Sequence, residues 1–253
     1  MGPHDADPLA ALRAQPDRAA VLVDFDGTLA PIVPSASDAR PLPGVREVLS
    51  ALCASYAVVA VVSGRPVAYL AHHLGSGPRL VGLYGLEWSD GAQAFEHPEA
   101  PAWRAVIDEV ALEAGAALPA GVDVEHKGLS LTLHFRPVPS AAGEVGAWAA
   151  QAAARSGLEE RVAKMSVELH PPIAVDKGTV VSDLVAGLDA ACYLGDDVGD
   201  LPAFAALDRL AEGGLHAVRV AVTGADAAAA LVAAADVVVE GPSAALALLR
   251  TLL

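Results

Sequence analysis

Short apolar runs alternate along most of the chain with segments whose apolar residues recur at helical spacing. Turn-forming residues such as Gly, Asp and Ser follow most of these runs, a pattern typical of strands buried in a parallel sheet. The runs predict strands at 19–24, 57–62, 80–84, 190–194, 217–222 and 237–239. Helical spacing predicts helices between them, at 44–55, 66–74, 202–210 and 226–234. The alternation predicts an α/β fold with a doubly wound parallel-sheet core.

The stretch between residues 99 and 171 has a different order of elements. In chain order we expect a helix at 103–114, two hairpin strands at 122–125 and 130–135, a helix at 143–155 and a strand at 164–169. Apolar and polar residues alternate in the second hairpin strand, which is typical of a sheet with one buried face. We therefore predict an inserted α+β cap domain at 99–171, within a core domain formed by 1–98 and 172–253.

The composition and charge of the chain argue against nucleic-acid-binding, membrane-bound and secreted proteins. Hydrophobic residues make up 54% of the 253 residues, which indicates a globular chain. The formal net charge of −15 opposes contact with nucleic acid or an anionic membrane, so we expect neither as a partner. No apolar run approaches about 18 residues, and the chain does not begin with the basic and apolar regions of a signal peptide. We therefore expect a cytoplasmic protein without a membrane span.

Two carboxylates directly follow the first expected strand, in the segment VLVDFDGTLAPIV. Asp24 and Asp26 stand at its carboxyl end, where open α/β sheets bind ligands, and Gly27 lets the backbone approach a ligand closely. Carboxylates at i and i+2 can share a hard metal ion, while one attacks as a nucleophile and the other moves protons. Taken alone, the pair could also simply cap a turn.

Three further segments carry polar groups next to expected elements. Ser63-Gly64-Arg65 follows the second strand, where a hydroxyl can bind a phosphoryl oxygen or simply belong to a turn. Lys177 precedes a helical run, a position that favours phosphate, although a lone Lys is usually solvated. Gly195-Asp196-Asp197-Val198-Gly199-Asp200 follows a strand, and its three carboxylates repel one another without a cation. In isolation, that segment could also be a solvated acidic loop.

Taken in order, these four segments resemble the four motifs of the haloacid dehalogenase superfamily of phosphotransferases. The resemblance implies that Asp24 is the nucleophile that forms an aspartyl-phosphate, and that Asp26 is the general acid/base. It implies a Mg2+ ion held by Asp24, Asp26 (with its backbone carbonyl) and Asp196, with Asp197 and Asp200 behind these ligands or against Lys177. The phosphate-binding residues that it implies are Gly27, Thr28, Ser63, Gly64, Arg65 and Lys177, of which Ser63 and Lys177 also assist catalysis.

Other segments resemble the trehalose-phosphatase family, and this likeness extends over about residues 20–240. They are LAPIV in the first motif, VGLYGLE, EHKGLS followed by LTLHFR, and KMSVELHPP followed by the DKG of Lys177. The resemblance implies that Glu125, Lys127, His134 and Glu168 of the insert bind the sugar. The chain departs from the commoner pattern after Asp197, where many members carry Thr-Asp-Glu-Asp and this chain has Val198-Gly199-Asp200-Leu201, so that one acidic position is absent.

These resemblances lead to one hypothesis and three alternatives. The hypothesis is a monomeric, Mg2+-dependent phosphatase that hydrolyses trehalose 6-phosphate, a small-molecule sugar phosphate, and whose cap closes over the substrate. The first alternative is the same chemistry on another sugar phosphate, such as sucrose 6-phosphate or mannosylglycerate phosphate. The second is a phosphomutase, which needs a bisphosphate activator and a basic second phosphate site, whereas the insert has few basic residues. The third is a non-catalytic module that binds a sugar phosphate.

Overall fold

In the computed structural model of the protein, the described residues are 7–33, 35–163, 165–224 and 228–253. They form two compact units. The first unit contains the described residues up to Phe95 and those from Val175 to Leu253, and the second runs from Glu96 to Ala174. The insert expected from the sequence begins and ends three residues inside these limits. Its role as a cap stays a prediction.

The elements follow the expected alternation, with additions. The strands are β1 (Ala19–Val23), β2 (Val58–Val62), β3 (Arg79–Gly82), β4 (Glu87–Ser89), β5 (Ala94–Glu96), β6 (Asp123–His126), β7 (Leu131–His134), β8 (Glu159–Ala163), β9 (Ser166–His170), β10 (Ala190–Gly195), β11 (His216–Thr223) and β12 (Val237–Glu240). The α-helices are α1 (Ala10–Ala14), α2 (Val45–Cys53), α3 (Val67–Leu74), α4 (Arg104–Ala117), α5 (Ala142–Ser156), α6 (Lys177–Leu184), α7 (Leu201–Glu212), α8 (Ala229–Ala233) and α9 (Gly241–Arg250). The sequence did not predict β4, β5, β8 or α9. The helix expected at 226–234 begins outside the described residues.

The first unit is built on a sheet with strand order β12-β11-β10-β1-β2-β3-β4-β5. Neighbouring strands from β12 to β3 are parallel, and β4 pairs antiparallel with β3. The predicted parallel core is therefore confirmed, and an additional antiparallel edge extends it. The strand expected at 80–84 ends earlier, because Leu83 and Tyr84 have φ angles of +49° and +59°, which an extended strand cannot contain.

The apolar run of β1 is explained by its central position, since all five of its residues are buried. Val21 and Val23 pack in one apolar cluster with Leu49 of α2. Leu22 packs in a second cluster with Phe204 of α7. Because successive side chains of a strand point to opposite faces, helices cover both faces of this sheet, which confirms the doubly wound α/β class.

The second unit contains an antiparallel sheet with strand order β6-β7-β9-β8. Leu131 and Leu133 of β7 pack with Ile107 of α4 and Val145 of α5 in the core of this unit. The sequence did not predict β8 because its residues, EERVA, show no alternation of apolar and polar positions. The strand lies at an edge of the sheet, where such alternation is not required. Lys164, the first residue of the strand expected at 164–169, lies outside the described residues. None of the described helices combines the length and apolar composition needed to cross a membrane.

Candidate active site

The carboxyl ends of three adjacent strands bring the predicted residues of the first unit to one edge of the sheet. The central strand β1 pairs with β10 on one side and β2 on the other, so that Val23 lies level with Leu194 and Val61. The backbone N–H of Asp24 extends this register by donating to the Leu194 carbonyl over 2.9 Å. The segments that begin at Asp24, Ser63 and Asp196 consequently leave the sheet at the same edge.

A buried lysine joins two of the carboxylates. The ammonium group of Lys177 donates to Asp24 Oδ1 at 2.7 Å and to Asp200 Oδ1 at 2.6 Å. Lys177 is the first residue of α6, whose start is fixed by a capping box in which Asp176 accepts from the Thr179 backbone over 2.8 Å. The three charged side chains are nearly inaccessible to solvent. The capping box therefore fixes the position from which the Lys177 ammonium group reaches Asp24 and Asp200.

Asp200 connects the acidic loop to this lysine. Its Oδ1 also accepts from the Tyr193 hydroxyl at 2.7 Å, and its Oδ2 accepts from the backbone N–H groups of Asp196 and Asp197 at 2.9 and 3.3 Å. The sequence did not predict Tyr193, because a tyrosine within the apolar run of β10 is typical of core packing. The one feature of the sequence that could have indicated its contact with Asp200 is the hydroxyl group, since a buried Tyr O–H needs a hydrogen-bond partner.

Three carboxylates lie close enough to share a cation. One carboxylate oxygen from each of Asp24, Asp196 and Asp200 lies within 4.8 Å of the other two. Burial, together with the charges of Asp24 and Asp200, raises the pKa of Asp196 to about 9. Burial also raises the pKa of Asp24, despite its contact with Lys177. One ammonium group does not balance three carboxylates, and oxygen donors suit a hard divalent cation, so this donor set fits a divalent metal ion.

Asp26, the second carboxylate after β1, faces Arg65. The guanidinium of Arg65 donates to both carboxylate oxygens of Asp26, through Nε and one terminal nitrogen, each over 2.7 Å. The same guanidinium lies 4.7 Å from the centre of the Tyr69 ring. The Arg65 backbone N–H donates to Ser63 Oγ over 3.2 Å. The sequence predicts phosphate contacts for Arg65 and Ser63, and the structure shows that they belong to one short segment beside Asp26.

Gly27 and Thr28 complete the loop after β1. Gly27 has a φ angle of +77°, and a Cβ atom there would overlap the carboxylate of Asp196. Thr28 is fully buried, and its Oγ1 has no hydrogen-bond partner among the described parts of the chain. A buried hydroxyl without a partner costs about 1–3 kcal/mol, which makes Thr28 Oγ1 a candidate contact for a ligand oxygen.

Replacing Gly27 by Ala is expected to disrupt the carboxylate group. The left-handed backbone alone costs an alanine about 1 kcal/mol, and the new methyl group would also displace Asp196. We expect Gly27→Ala to lower the melting temperature and to reduce the rise in melting temperature that a divalent cation produces, as measured by scanning calorimetry. Gly187→Ala is the matched control, because Gly187 has a φ of +78° and open space around its Cβ position. Equal behaviour of the two variants would contradict this account.

Tyr84 lies against the same site through an unusual backbone conformation. It follows β3 with φ and ψ of +59° and +21°, and its backbone N–H donates to the Ser63 carbonyl over 3.0 Å. A Cβ on Gly64 would lie 2.6 Å from the Tyr84 hydroxyl, and Lys177 Nζ lies 5.9 Å from the centre of the ring. The sequence offered no signal for this residue beyond the glycines of VGLYGLE.

The predicted sugar-binding residues lie together on the sheet of the second unit. His134 Nε2 lies 2.8 Å from Glu125 Oε2. Lys127 Nζ lies 4.0 Å from Glu125 Oε2 and 3.7 Å from Glu168 Oε2. Ser130, which the sequence did not single out, donates from Oγ to Glu168 Oε1 over 2.7 Å and is fully buried. The four predicted residues therefore form one network of charged groups, and their sugar-binding role stays a prediction.

Comparison with known proteins relates the chain to one family. The family model described as trehalose-phosphatase matches residues 22–237. A trehalose-phosphate phosphatase of Mycobacterium ulcerans (strain Agy99) is 34% identical over 203 residues, which are 75% of this chain and 52% of the relative. The chain thus spans about half the length of the curated relatives of this name that it matches.

Solved structures share the fold. The C-terminal domain of a C. albicans trehalose-6-phosphate phosphatase matches with a TM-score of 0.79 at 22% identity, covering 96% of this chain and 94% of that chain. A haloacid dehalogenase-like hydrolase from Bacteroides thetaiotaomicron matches with a TM-score of 0.61 at 15% identity, covering 93% of this chain and 99% of that chain. At such identities the likeness concerns the fold alone, and it confirms the haloacid dehalogenase-like core expected from the sequence.

Proposed function

Since the chain belongs to the trehalose-phosphatase family, we propose that it is a phosphoric monoester hydrolase that converts trehalose 6-phosphate to trehalose and phosphate. The observation that carries the proposal is the cluster of buried Asp24, Lys177 and Asp200 with half-buried Asp196 at the carboxyl edge of the parallel sheet. All four residues lie inside the matched range, 22–237. Such a cluster holds a nucleophile and a compensating positive charge at the carboxyl ends of the strands, where open parallel sheets bind ligands.

In the first step, a carboxylate oxygen of Asp24 attacks the phosphorus atom. A bond forms between that oxygen and phosphorus while the bond from phosphorus to the sugar oxygen breaks, and Asp26 gives a proton to the departing sugar oxygen. In the second step, Asp26 takes a proton from water, and the resulting hydroxide attacks phosphorus. Phosphate leaves and the Asp24 carboxylate is restored, so that both residues return to their starting states.

The surrounding residues orient these groups and balance charge. Lys177, bonded to Asp24 over 2.7 Å, offsets the negative charge of the nucleophile and of the phosphoryl group as they approach. Arg65 holds in one orientation, through its two bonds, the carboxylate form of Asp26 that takes the proton from water in the second step. Thr28 Oγ1 and Ser63 Oγ supply hydroxyl groups for the phosphoryl oxygens. The buried Thr28 hydroxyl, which lacks a partner within the described residues, supports this assignment.

We propose Mg2+ as the divalent ion that the acidic cluster holds. Asp24 and Asp196, with the backbone carbonyl of Asp26, would bind it, while Asp200 anchors Lys177. When bound, Mg2+ supplies positive charge that draws the phosphoryl oxygens toward the nucleophile and neutralises them. Burial raises the pKa of Asp196 to about 9, so a bound cation would favour the ionised form of this carboxylate.

The second unit supplies the sugar specificity in this proposal. Glu125, Lys127, His134 and Glu168 combine acceptors and donors, the mixture that a hydroxyl-rich ligand needs. We expect Glu168→Ala to lower kcat/KM for trehalose 6-phosphate far more than for a small aryl phosphate, which carries no sugar. Steady-state kinetics on both substrates measure the ratio, and Glu168→Gln is the size-matched control. An equal loss on both substrates would argue against a role in sugar binding.

A substrate panel tests the function directly. Phosphate release is measured from trehalose 6-phosphate, sucrose 6-phosphate, glucose 6-phosphate, mannosylglycerate phosphate and an aryl phosphate, with Mg2+ and with a chelator. We expect Mg2+-dependent release with a strong preference for trehalose 6-phosphate. Preference for another sugar phosphate would retain the chemistry and replace the substrate. Absence of release from every compound would refute the enzymatic proposal and favour a sugar-phosphate-binding module.

A further inference from the structure

One residue of the second unit occupies the centre of the charged network without belonging to it. In the antiparallel register, Thr132 of β7 lies directly opposite Glu125 of β6 on one side and Glu168 of β9 on the other. Directly paired residues share a face of the sheet, so the three side chains stand in one row. The neighbours Leu131 and Leu133 point to the other face, into the core of the unit.

Both flanking carboxylates engage the positions two residues from Thr132. Glu168 Oε1 accepts from Ser130 Oγ at 2.7 Å, and Glu125 Oε2 lies 2.8 Å from His134 Nε2. Thr132 is only 4% exposed, yet its Oγ1 has no hydrogen-bond partner anywhere in residues 7–33, 35–163, 165–224 or 228–253. The row therefore contains a buried hydroxyl without a partner, between two carboxylates that each contact another side chain.

A buried hydroxyl without a partner is unfavourable, and packing does not require it here. Valine has nearly the same shape as threonine and suits a strand interior equally well, so it would fill this position without the unsatisfied group. The chemistry of the row supplies a reason for the hydroxyl. Carboxylates only accept and an ammonium group only donates, whereas a hydroxyl does both, which matches the mixed character of sugar hydroxyls.

We propose that Thr132 is a sugar-binding residue. Its Oγ1 forms a hydrogen bond with a hydroxyl group of the substrate sugar, at a position between Glu125 and Glu168. The inference rests on the proposed function and adds to it a neutral contact that recognises a hydroxyl rather than a charge. Thr132 would then discriminate between sugar phosphates by the position of one hydroxyl, a task for which long-range charge is poorly suited.

The test compares Thr132→Val, which removes the hydroxyl and keeps the shape, with Thr132→Ser, which keeps the hydroxyl. We expect Thr132→Val to raise KM for trehalose 6-phosphate about 3- to 10-fold, the loss of one uncharged hydrogen bond, and to lower its selectivity over an aryl phosphate by a similar factor. Its melting temperature should equal or exceed that of the wild type, because an unsatisfied group is gone. Thr132→Ser should stay close to wild type in both kinetic quantities.

The outcomes distinguish a failure of the role inferred for Thr132 from a failure of the proposed function. A Thr132→Val enzyme with wild-type KM and selectivity would overturn the inference alone, as would a variant that loses both substrates equally or melts earlier. If the wild type prefers another sugar phosphate, the same comparison on that compound decides the role of Thr132. A wild type that hydrolyses an aryl phosphate but no sugar phosphate would refute both the sugar specificity and the role of Thr132.

Discussion

Asp24→Asn should reduce phosphate release by at least about 1,000-fold, with trehalose 6-phosphate and with an aryl phosphate alike. An amide oxygen is a poor nucleophile, so the variant loses the first step of the reaction whichever alcohol leaves. Steady-state release of phosphate measures the effect on both substrates. The loss should be the same fraction for each, in contrast to the selective loss expected for Glu168→Ala.

Stability measurements separate this loss from misfolding. Lys177 keeps its 2.6 Å bond to Asp200 when Asp24 is replaced, and one charge of a mutually repelling set disappears. We therefore expect Asp24→Asn to melt no earlier than the wild type without a divalent cation. A folded variant that retains most of its activity would show that another residue forms the bond to phosphorus.

Lys177→Met should abolish activity and also destabilise the fold. Methionine fills much the same volume but leaves Asp24 and Asp200 buried without the charge that compensates both. Breaking a buried ion pair by removing one partner costs about 3–5 kcal/mol. Denaturant unfolding of the cation-free protein measures this cost, and a melting temperature close to the wild type would contradict it.

A second substitution tests the physical cause of that loss. The double variant Lys177→Met with Asp24→Asn removes the ammonium group and one of its two carboxylate partners. We expect it to recover part of the stability lost in Lys177→Met, and to remain inactive. No recovery would indicate that Lys177 stabilises the fold by packing rather than by charge, since the packing defect is the same in both variants.

The candidate catalytic residues were predicted from two sources, their positions next to recognisable elements and the resemblance of the four segments to the haloacid dehalogenase motifs. Asp24, Ser63 and Asp196 each come one or two positions after an apolar run, and parallel strands carry such residues to one edge of a sheet. In the structure the three strands that precede these residues, β10, β1 and β2, are adjacent in the sheet, so the residues lie near one another. The fold class followed from the same alternation of buried runs and amphipathic segments.

The remaining parts of the site depend on contacts that no local pattern encodes. Tyr193 has the pattern of a core residue, and its role becomes visible only through Asp200, on a loop beyond the strand. Tyr84 lies in a segment expected as strand, whereas its left-handed backbone turns the chain against Gly64. Ser130 acquires a partner only through the pairing of two strands 38 positions apart. For Tyr193 and Ser130 the missing information was a side-chain partner on another element, and for Tyr84 it was the conformation of the backbone.

The position of the second unit within the chain affects the order of folding during synthesis. Asp24 and Lys177 meet across 153 positions, and the whole of residues 96–174 leaves the ribosome between them. The antiparallel sheet of the second unit uses contacts closer in sequence and can form first, whereas β1 must wait for β10. Until then one edge of a wholly apolar strand stays unpaired, and that edge can pair with another nascent copy. We therefore expect translation speed and chaperone access across this interval to influence how much of the chain reaches its native pairing.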